Sequence, residues 1–537
     1  MWARYVLGPA PLNIYNTHWI WGDLAQVYVA WSQYLSDPHT HGLLTDRMSY
    51  PLPMSISLFD PMPAFLLASK PVAAFLPDGT QYIGLYFTLC LVLQGAFGYL
   101  ATWQALRLVS NEDPRAFPYI SAIGGLLIAT LPFTFFRFQY HTALSSQWII
   151  VLAMWAALST VEASRKRWML VNCSTMLLAT GINPYLALMV AMSSAIPTIV
   201  QLRTLGWVET SIRVCTLALT AAIGLYLFGF LVATGADSGG YGLFSMNALG
   251  PLSSAGLGRI NPYKTADPTA YQSLEGFDYL GAGVIVLVVV AIAASFSMPH
   301  KTGRFPYWGA LLIVIAGYLL ALSSTPTFGS HRFHIPIPGS IEFLLSRFRS
   351  SGRLFWVAGF WIVVAGIAAC VQRWGVRRIA PLLIAILTLQ IVDIQPVAFA
   401  TKLSIANGAT QTLLATTGGA VDAILVFPGW QCDHDKTPLG IRNYESIGFF
   451  AANHHIPTNN FYAARNLPEQ IAYHCDYSTI AGNIRPHALY LVTENIYRSV
   501  EQDFAQTHQC NNQKTGDGSW ICVPRHKADD APGHLNR

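Results

Sequence analysis

The sequence predicts an all-α polytopic membrane domain of about ten spanning helices plus interfacial helices, followed by a small α/β domain. Three observations carry this reading. Of 537 residues, 53% are hydrophobic and only 11% are charged, where a soluble domain averages about 25% charged. Ten apolar runs lie near 82–104, 117–136, 142–160, 168–181, 183–201, 212–233, 278–297, 307–323, 354–372 and 379–396. Between alternate pairs of runs sit Arg107/Arg115, Arg165/Lys166/Arg167, Arg203/Arg213, Lys301/Arg304 and Arg373/Arg377/Arg378. Short loops rich in Lys and Arg stay cytoplasmic. That places residues 1–81, 137–141, 234–277, 324–353 and 397–537 on the opposite face. The net charge of +5 follows from this topology, so it is not read as a nucleic-acid surface. No secretory signal with a cleavage site is read, and insertion is expected to rely on the internal helices.

The expected domains are a first-loop region over 1–81 with interfacial helices, a transmembrane domain over 82–396, a soluble α/β domain over 397–523, and a disordered tail over 524–537. In the first region, Trp19-Ile-Trp-Gly-Asp23-Leu-Ala-Gln26 opens a helical pattern that continues through Tyr28, Trp31 and Tyr34. Asp23 at the N-cap with Gln26 three residues on is a capping-box pattern. Its functional alternative is a carboxylate that takes a proton from an acceptor hydroxyl or holds Mg²⁺ or Mn²⁺. Trp31 and Tyr34 either belong to an interfacial aromatic belt or stack on a sugar. The stretch Tyr50-Pro-Leu-Pro to Phe59-Asp60-Pro61 again reads as an N-cap. The helix it opens, near 62–76, is too short to span and suits the outer leaflet. Asp60 is a second candidate for acid/base work beside Asp23.

Further along, Arg137 and His141 both offer donors to phosphate oxygens, with snorkelling and capping as the structural explanation. Asn183-Pro184-Tyr185 lies between two runs that turn back in the outer half of the membrane, where the proline reads as structural. The long loop from Gly235 to Leu280 reads as a lid or binding surface, and Glu275 enters the next run as a site candidate. The loop over 324–353 is basic although it lies outside, against the positive-inside trend. Within it, Arg347-Phe-Arg349-Ser-Ser-Gly-Arg353 precedes a helix, and a phosphate or pyrophosphate is the expected ligand of Arg349 and Arg353.

In the last domain, Ala423–Phe427, Ala488–Val492 and Ser519–Val523 read as short buried strands, and 444–453 as a helix. Cys432, Cys475, Cys510 and Cys522 lie in this polar part and suggest disulfides. Of three pairings, Cys432–Cys475 with Cys510–Cys522 is favoured, because Asn511 to Gly518 reads as a turn. Zinc is the lesser alternative, since no CxxC spacing occurs. His454 and His455 read as a surface loop.

These segments resemble a family of uncharacterised bacterial integral membrane proteins (DUF6311-like) related to the GT-C glycosyltransferases. The resemblance rests on Trp19 to Gln26, the stretch ending at Pro61, Glu275-Gly-Phe-Asp-Tyr-Leu-Gly281, Arg349-Ser-Ser-Gly-Arg353 and Asn459-Asn-Phe-Tyr-Ala-Ala-Arg465. It implies a GT-C-like membrane domain in the bacterial inner membrane, with the tail domain periplasmic. The implied partners are a polyprenyl-phosphate-linked sugar, membrane lipid and a glycan acceptor. Asp23 would be the base or metal-side carboxylate. Arg349 and Arg353, with Arg137 and His141, would grip the donor phosphate, while Gln26, Trp31, Tyr34 and Glu275 would line the substrate site. Proteins of that class begin with a spanning helix, and Met1 to Pro9 is too short to be one. The expected function is therefore sugar transfer from a polyprenyl-phosphate donor. Its rivals are a lipid-linked saccharide transporter, for which the runs hold few polar groups (Asp393 near an end, and Gln94), and a non-catalytic envelope assembly protein.

Overall fold

The computed structural model describes residues 2–59, 62–77, 79–138, 140–231, 240–269, 271–296, 305–395, 421–440, 443–512 and 518–525. Asp60, the basic pair Lys301/Arg304 and the polar tail from 526 lie outside the described residues. The chain divides into two units. One comprises Met1–Ile14, Tyr82–Phe230 and Asp237–Leu403. The other comprises Tyr15–Gln81, Leu231–Ala236 and Ser404–Arg537, so most of the first-loop region groups with the tail.

In the first unit the described part of each apolar run is mainly helical. Among the described residues, three helical stretches are long and apolar enough to cross a membrane: Ile83–Val109, Trp207–Leu227 and Ser351–Trp374, with mean hydropathies of 1.6, 1.5 and 2.3. The run near 117–136 is two helices, Phe117–Ala129 and Pro132–Arg137. The break is local chemistry. The Thr130 hydroxyl donates to the carbonyls of Leu126 and Leu127, and Pro132 lacks the N–H that would carry the ladder on. The helix Phe355–Trp374 is buried along nearly its whole length. Around it pack Ala282–Phe296, Tyr307–Leu322 and Ile83–Val109. Ile83–Val109 and Phe117–Ala129 approach through small residues. A Cβ on Gly125 would stand 2.6 Å from the Gly95 carbonyl oxygen, so a side chain there would force the helices apart.

Asp393, at the end of helix Val376–Asp393, latches the loop before Ala282. Its carboxylate accepts from the backbone N–H groups of Ile260, Asn261 and Ala282 at 2.8, 2.9 and 3.0 Å and from the Tyr279 hydroxyl at 2.6 Å. Four donors keep a buried carboxylate satisfied, so this acid is structural.

The second unit is built on a four-stranded sheet. Its strands are β1 (Ala423–Phe427), β2 (Ala488–Thr493), β3 (His508–Asn512) and β4 (Ser519–Pro524), in spatial order β1-β2-β4-β3. β1 and β2 are parallel and the other pairings antiparallel. Alternation along each strand feeds two cores. Ile424, Val426, Leu489 and Leu491 face Ile447 and Phe450 of helix Asn443–Asn453. Leu425, Tyr490 and Val492 face Tyr497, Val500 and Phe504 of helix Glu494–Thr507. The structure joins Cys432 to Cys475, and Cys510 to Cys522 across the β3–β4 pair.

Helix Asp23–Ser36 lies parallel to helix Asn443–Asn453 in the same unit. Tyr28 stacks on Phe449 at 5.0 Å, and the amide of Gln33, near the helix end, donates to the Ile456 carbonyl at 2.7 Å. The segment expected as one helix over 62–76 is Pro63–Ser69 followed by a 3₁₀ turn Lys70–Phe75. Lys70 Nζ donates to the carbonyls of Tyr34, Leu35 and Asp37, where a helix C-terminus favours a cation. Leu67, Val72, Phe75 and Leu76 remain exposed.

Candidate functional site

In the first unit, three residues from two other segments converge on Glu275. Arg137 ends its short helix wholly buried. Its Nη1 donates to Glu275 Oε2 at 2.9 Å, and its Nη2 to the carbonyls of Leu274 and Glu275 at 3.0 and 2.9 Å. Arg353 sits in the 3₁₀ turn Ser351–Leu354 ahead of the buried helix. It reaches the same oxygen through Nε at 3.2 Å and Nη2 at 2.6 Å. His141 Nε2 lies 3.4 Å from Glu275 Oε1. Two rings support the arginines: Arg353 lies over Tyr185 at 5.1 Å and Arg137 over Trp356 at 5.3 Å. Tyr185 is in place because the Asn183 side chain caps its helix, and its hydroxyl accepts from the Ser350 N–H at 3.0 Å.

Burial pushes the Glu275 carboxyl up, but Arg353, Arg137 and His141 outweigh it and hold it well below the usual carboxylate range. Two guanidiniums against one carboxylate leave one net positive charge. The Glu275 side chain keeps 21% of its surface accessible, so the charge can be reached from solvent. Arg349 forms no ion pair among the described residues; its guanidinium lies over Phe244 at 5.8 Å. Arg137 does not snorkel, because its charge is met inside the protein. Three residues past Glu275, Asp278 is buried, and neither of its oxygens has a hydrogen-bond partner of good geometry among the described residues. Burial pushes its carboxyl well above the ordinary range against the pull of Arg137 and Trp356.

In the second unit, the structure moves the helix cap by one residue. Gly22, at φ +58° and ψ −133°, is the N-cap of helix Asp23–Ser36, and Asp23 is its first helical residue. That φ favours glycine, which fixes where the helix begins. The reciprocal capping box expected of Asp23 and Gln26 is therefore not formed. Instead the Gly22 N–H donates to Oε1 of Glu445, in the first turn of helix Asn443–Asn453, at 3.1 Å. Two helix N-termini thus meet with a carboxylate in the first turn of each, where the dipoles favour negative charge. Tyr444 feels both: burial, then Glu445 and Asp23, push its hydroxyl far up. Trp430, Tyr444 and Tyr462 pack beside them, with ring centroids 4.3 to 5.3 Å apart.

Trp31 and Tyr34 are buried at 4% and 1% exposure, and the Tyr34 hydroxyl donates to the Gly42 carbonyl. Their faces are covered by protein, which corrects both the aromatic-belt and the sugar-stacking expectations. Gln26 is buried as well, and its Nε2 has no partner among the described residues. His454 turns back onto its own helix, with Nδ1 2.9 Å from the Phe450 carbonyl. Among the described residues no three His, Cys, Asp or Glu side chains group as a metal site. Glu445, Tyr444, Trp430 and Tyr462 were not singled out from the sequence as site residues. The signal for Glu445 was its place in the first turn of a predicted helix.

These features describe a helical membrane protein carrying a small α/β domain at its C-terminal end. The chain belongs to the family described as Domain of unknown function (DUF6311), whose model matches residues 1–395; the DUF6311 C-terminal domain matches residues 413–524. No curated protein matches the chain. Among solved structures it is similar to apo ArnT from Cupriavidus metallidurans, with 12% identity and a TM-score of 0.49 over 97% of this chain and 95% of that one. It is also similar to the Archaeoglobus fulgidus oligosaccharyltransferase with Zn and sulfate, at 10% identity and a TM-score of 0.47 over 97% and 72% of the two chains. A third is the oligosaccharyltransferase AglB from Archaeoglobus fulgidus with an inhibitory peptide and a dolichol-phosphate, at 10% identity and a TM-score of 0.42 over 100% and 74%. Scores of this size are too low to transfer the role of any residue.

Proposed function

We propose that this protein is a multi-pass membrane glycosyltransferase of the bacterial inner membrane. It moves a sugar from a polyprenyl-phosphate donor to a periplasmic or lipid-linked glycan acceptor. The observation that carries the reading is the convergence of Arg137, His141 and Arg353 on Glu275 with one positive charge in excess. Two of the motifs behind the sequence resemblance supply Glu275 and Arg353. An arginine pair presents forked donors that match a phosphate. A donor phosphate would compete with Glu275 for them, with Arg349 and His141 adding charge at the rim.

Asp23 is the proposed base. The acceptor hydroxyl gives its proton to the Asp23 carboxylate while its oxygen bonds to the anomeric carbon. The bond from that carbon to the donor phosphate oxygen breaks, and the electron pair leaves with the phosphate. Glu445, beside Asp23, is a second acceptor for sugar hydroxyls, and the Trp430 and Tyr462 rings offer apolar surface for a pyranose. The alternative role for Asp23 is on the metal side: with Glu445 it would hold Mg²⁺, which keeps most of its waters, and in that role it would not be the base.

The test is turnover of polyprenyl-phosphate sugars by the full-length protein in nanodiscs, wild type beside Asp23→Asn. Wild type should release polyprenyl phosphate, and the variant should be slower by at least about 100-fold while remaining folded. Undiminished turnover by Asp23→Asn would remove the base. Donor binding with passage across the bilayer and no turnover would favour the transporter. No donor binding at all would favour the envelope assembly protein.

A further inference from the structure

One arm of the basic loop over 324–353 takes no part in the cluster at Glu275. It opens as a hairpin, Thr327–Phe328 against His331–Arg332, and continues through the short helix Gly339–Leu345 to Arg347. The backbone of the hairpin is pinned. The Ala248 N–H donates to the Thr327 carbonyl at 2.8 Å. The Asn247 amide holds Gly329 from both sides, donating to its carbonyl at 2.8 Å and accepting from its N–H at 3.2 Å. The N–H groups of Phe333 and Ile335 donate to the carbonyls of Pro326 and Ser324 at 2.9 and 2.8 Å. Pro336 and Pro338 then fix φ ahead of the helix.

A backbone held in this way cannot turn its apolar side chains inward. Phe328, Phe333, Ile335, Ile341, Phe343 and Leu344 are all exposed, Phe343 at 68% and Leu344 at 66%, and the helix buries no residue. Large apolar groups gathered in one exposed segment mark an interaction surface. The arm joins helix Tyr307–Leu322 to the stretch Ser351–Trp374, which packs against that helix and is long and apolar enough to span. It therefore leaves and re-enters the bilayer on one face. Seven helical residues cannot span, and irregular backbone does not enter hydrocarbon where it would face lipid. The apolar groups can reach only the boundary between headgroups and acyl chains.

Charge selects the headgroup. His331, Arg332 and His334 are exposed among the apolar groups, and the Arg347 guanidinium lies over the Phe343 ring at 5.2 Å. Glu342 is the one acid between Thr327 and Arg353. We infer that this arm docks onto bilayer phospholipids with anionic headgroups, its apolar side chains at the acyl boundary and Arg332 and Arg347 beside the headgroup charge. That accounts for a basic loop on the face where the positive-inside trend expects few cations. A docked arm would also steady Arg349, two residues on, whose carbonyl accepts from the Phe244 N–H at 3.0 Å. The inference does not rest on sugar transfer.

The experiment uses the full-length protein with Cys173→Ser and Cys215→Ser, which removes the free cysteines that a label could reach. A nitroxide is placed at Phe343→Cys or at Ile335→Cys, in nanodiscs of phosphatidylcholine alone or mixed with phosphatidylglycerol. Spectral lineshape gives the ratio of inserted to free arm, and relaxation by oxygen or by a water-soluble nickel chelate reports what surrounds the label. Phosphatidylglycerol should raise the ratio, with the label open to oxygen and closed to nickel. In that lipid, Arg332→Gln with Arg347→Gln should lower the ratio by about 10- to 30-fold. High salt should lower it in the protein that keeps both arginines. A label equally open to nickel in both lipids would overturn the inference. So would a label closed to oxygen and nickel alike, the mark of a covering protein. Insertion indifferent to phosphatidylglycerol, salt and both arginines would overturn the anionic headgroup.

Discussion

His474 should make the second unit acid-sensitive, by an amount that can be worked out. Its ring is 2% exposed, at the end of helix Pro468–His474, and Nε2 lies 3.0 Å from the Ser49 carbonyl and 2.8 Å from Ser49 Oγ. The edges of Phe461 and Tyr473 enclose it. Burial pushes its pKa down to about 4, against a small opposing effect of the Ser49 carbonyl. Unfolded, it would titrate near about 6.5. The folded state therefore favours the neutral ring. As pH falls through 6.5 the unfolded chain gains a proton that the folded chain refuses, and stability is lost until the folded group titrates too. Between pH 7 and pH 5 the loss comes to about 2 kcal/mol, and below pH 4 it levels near about 3 kcal/mol. Hydrogen-exchange protection of peptides spanning 44–59 and 468–480 reports it, with wild type compared to His474→Asn at each pH. The wild-type advantage should shrink by about 2 kcal/mol between pH 7 and pH 5. Parallel pH profiles for the two proteins would show that the ring titrates normally in the folded state, and the argument from burial would fail.

Two further perturbations probe the first unit. Glu275→Gln leaves two buried guanidiniums facing each other and should cost about 3–5 kcal/mol in thermal stability; inorganic phosphate should restore more of the melting temperature in that variant than in wild type, and no phosphate effect on either would count against an anion site. Asp393→Asn keeps shape but loses two charged acceptors and sets an amide N–H against donors, so about 2–4 kcal/mol should be lost and exchange should rise in the loop over 259–282; unchanged exchange there would show that the loop is held by something else.

The helical runs were legible because an apolar stretch leaves few alternatives in a chain this poor in charge. Their ends were less so. The break at Thr130 to Pro132 fell inside one unbroken apolar run and showed only as a proline. β1, β2 and β4 were readable as apolar segments, whereas β3, with the sequence His-Gln-Cys-Asn-Asn, is a polar edge strand that pairs only with β4. Arg137, His141, Glu275 and Arg353 were each visible as polar residues in the wrong place for a membrane protein. Their meeting was not, since up to 216 positions separate them and no local pattern encodes a long-range ion pair. The aromatic pattern Tyr28, Trp31 and Tyr34 could serve a membrane interface or a protein core, and the sequence does not say which; in the structure Tyr28 stacks on Phe449, Lys70 lies over Tyr34, and Trp31 and Tyr34 are buried.

The charge around Glu275 links structure to the proposed chemistry more tightly than any single arginine. A buried guanidinium pair without an anion would be unstable, so some carboxylate or phosphate must be present at all times. Glu275 fills that role in the ligand-free protein and does so incompletely, because one positive charge is left over. Had the cluster been neutral, an incoming phosphate would have to displace a fully matched partner and gain little. Had Glu275 been absent, the arginines would repel and the loops carrying them would part. An unbalanced ion cluster with an accessible carboxylate is the arrangement that both holds together empty and still favours an anion. It follows that Arg353→Lys, which keeps the charge but loses the fork that grips one Glu275 oxygen twice, should weaken phosphate binding more than it weakens the fold.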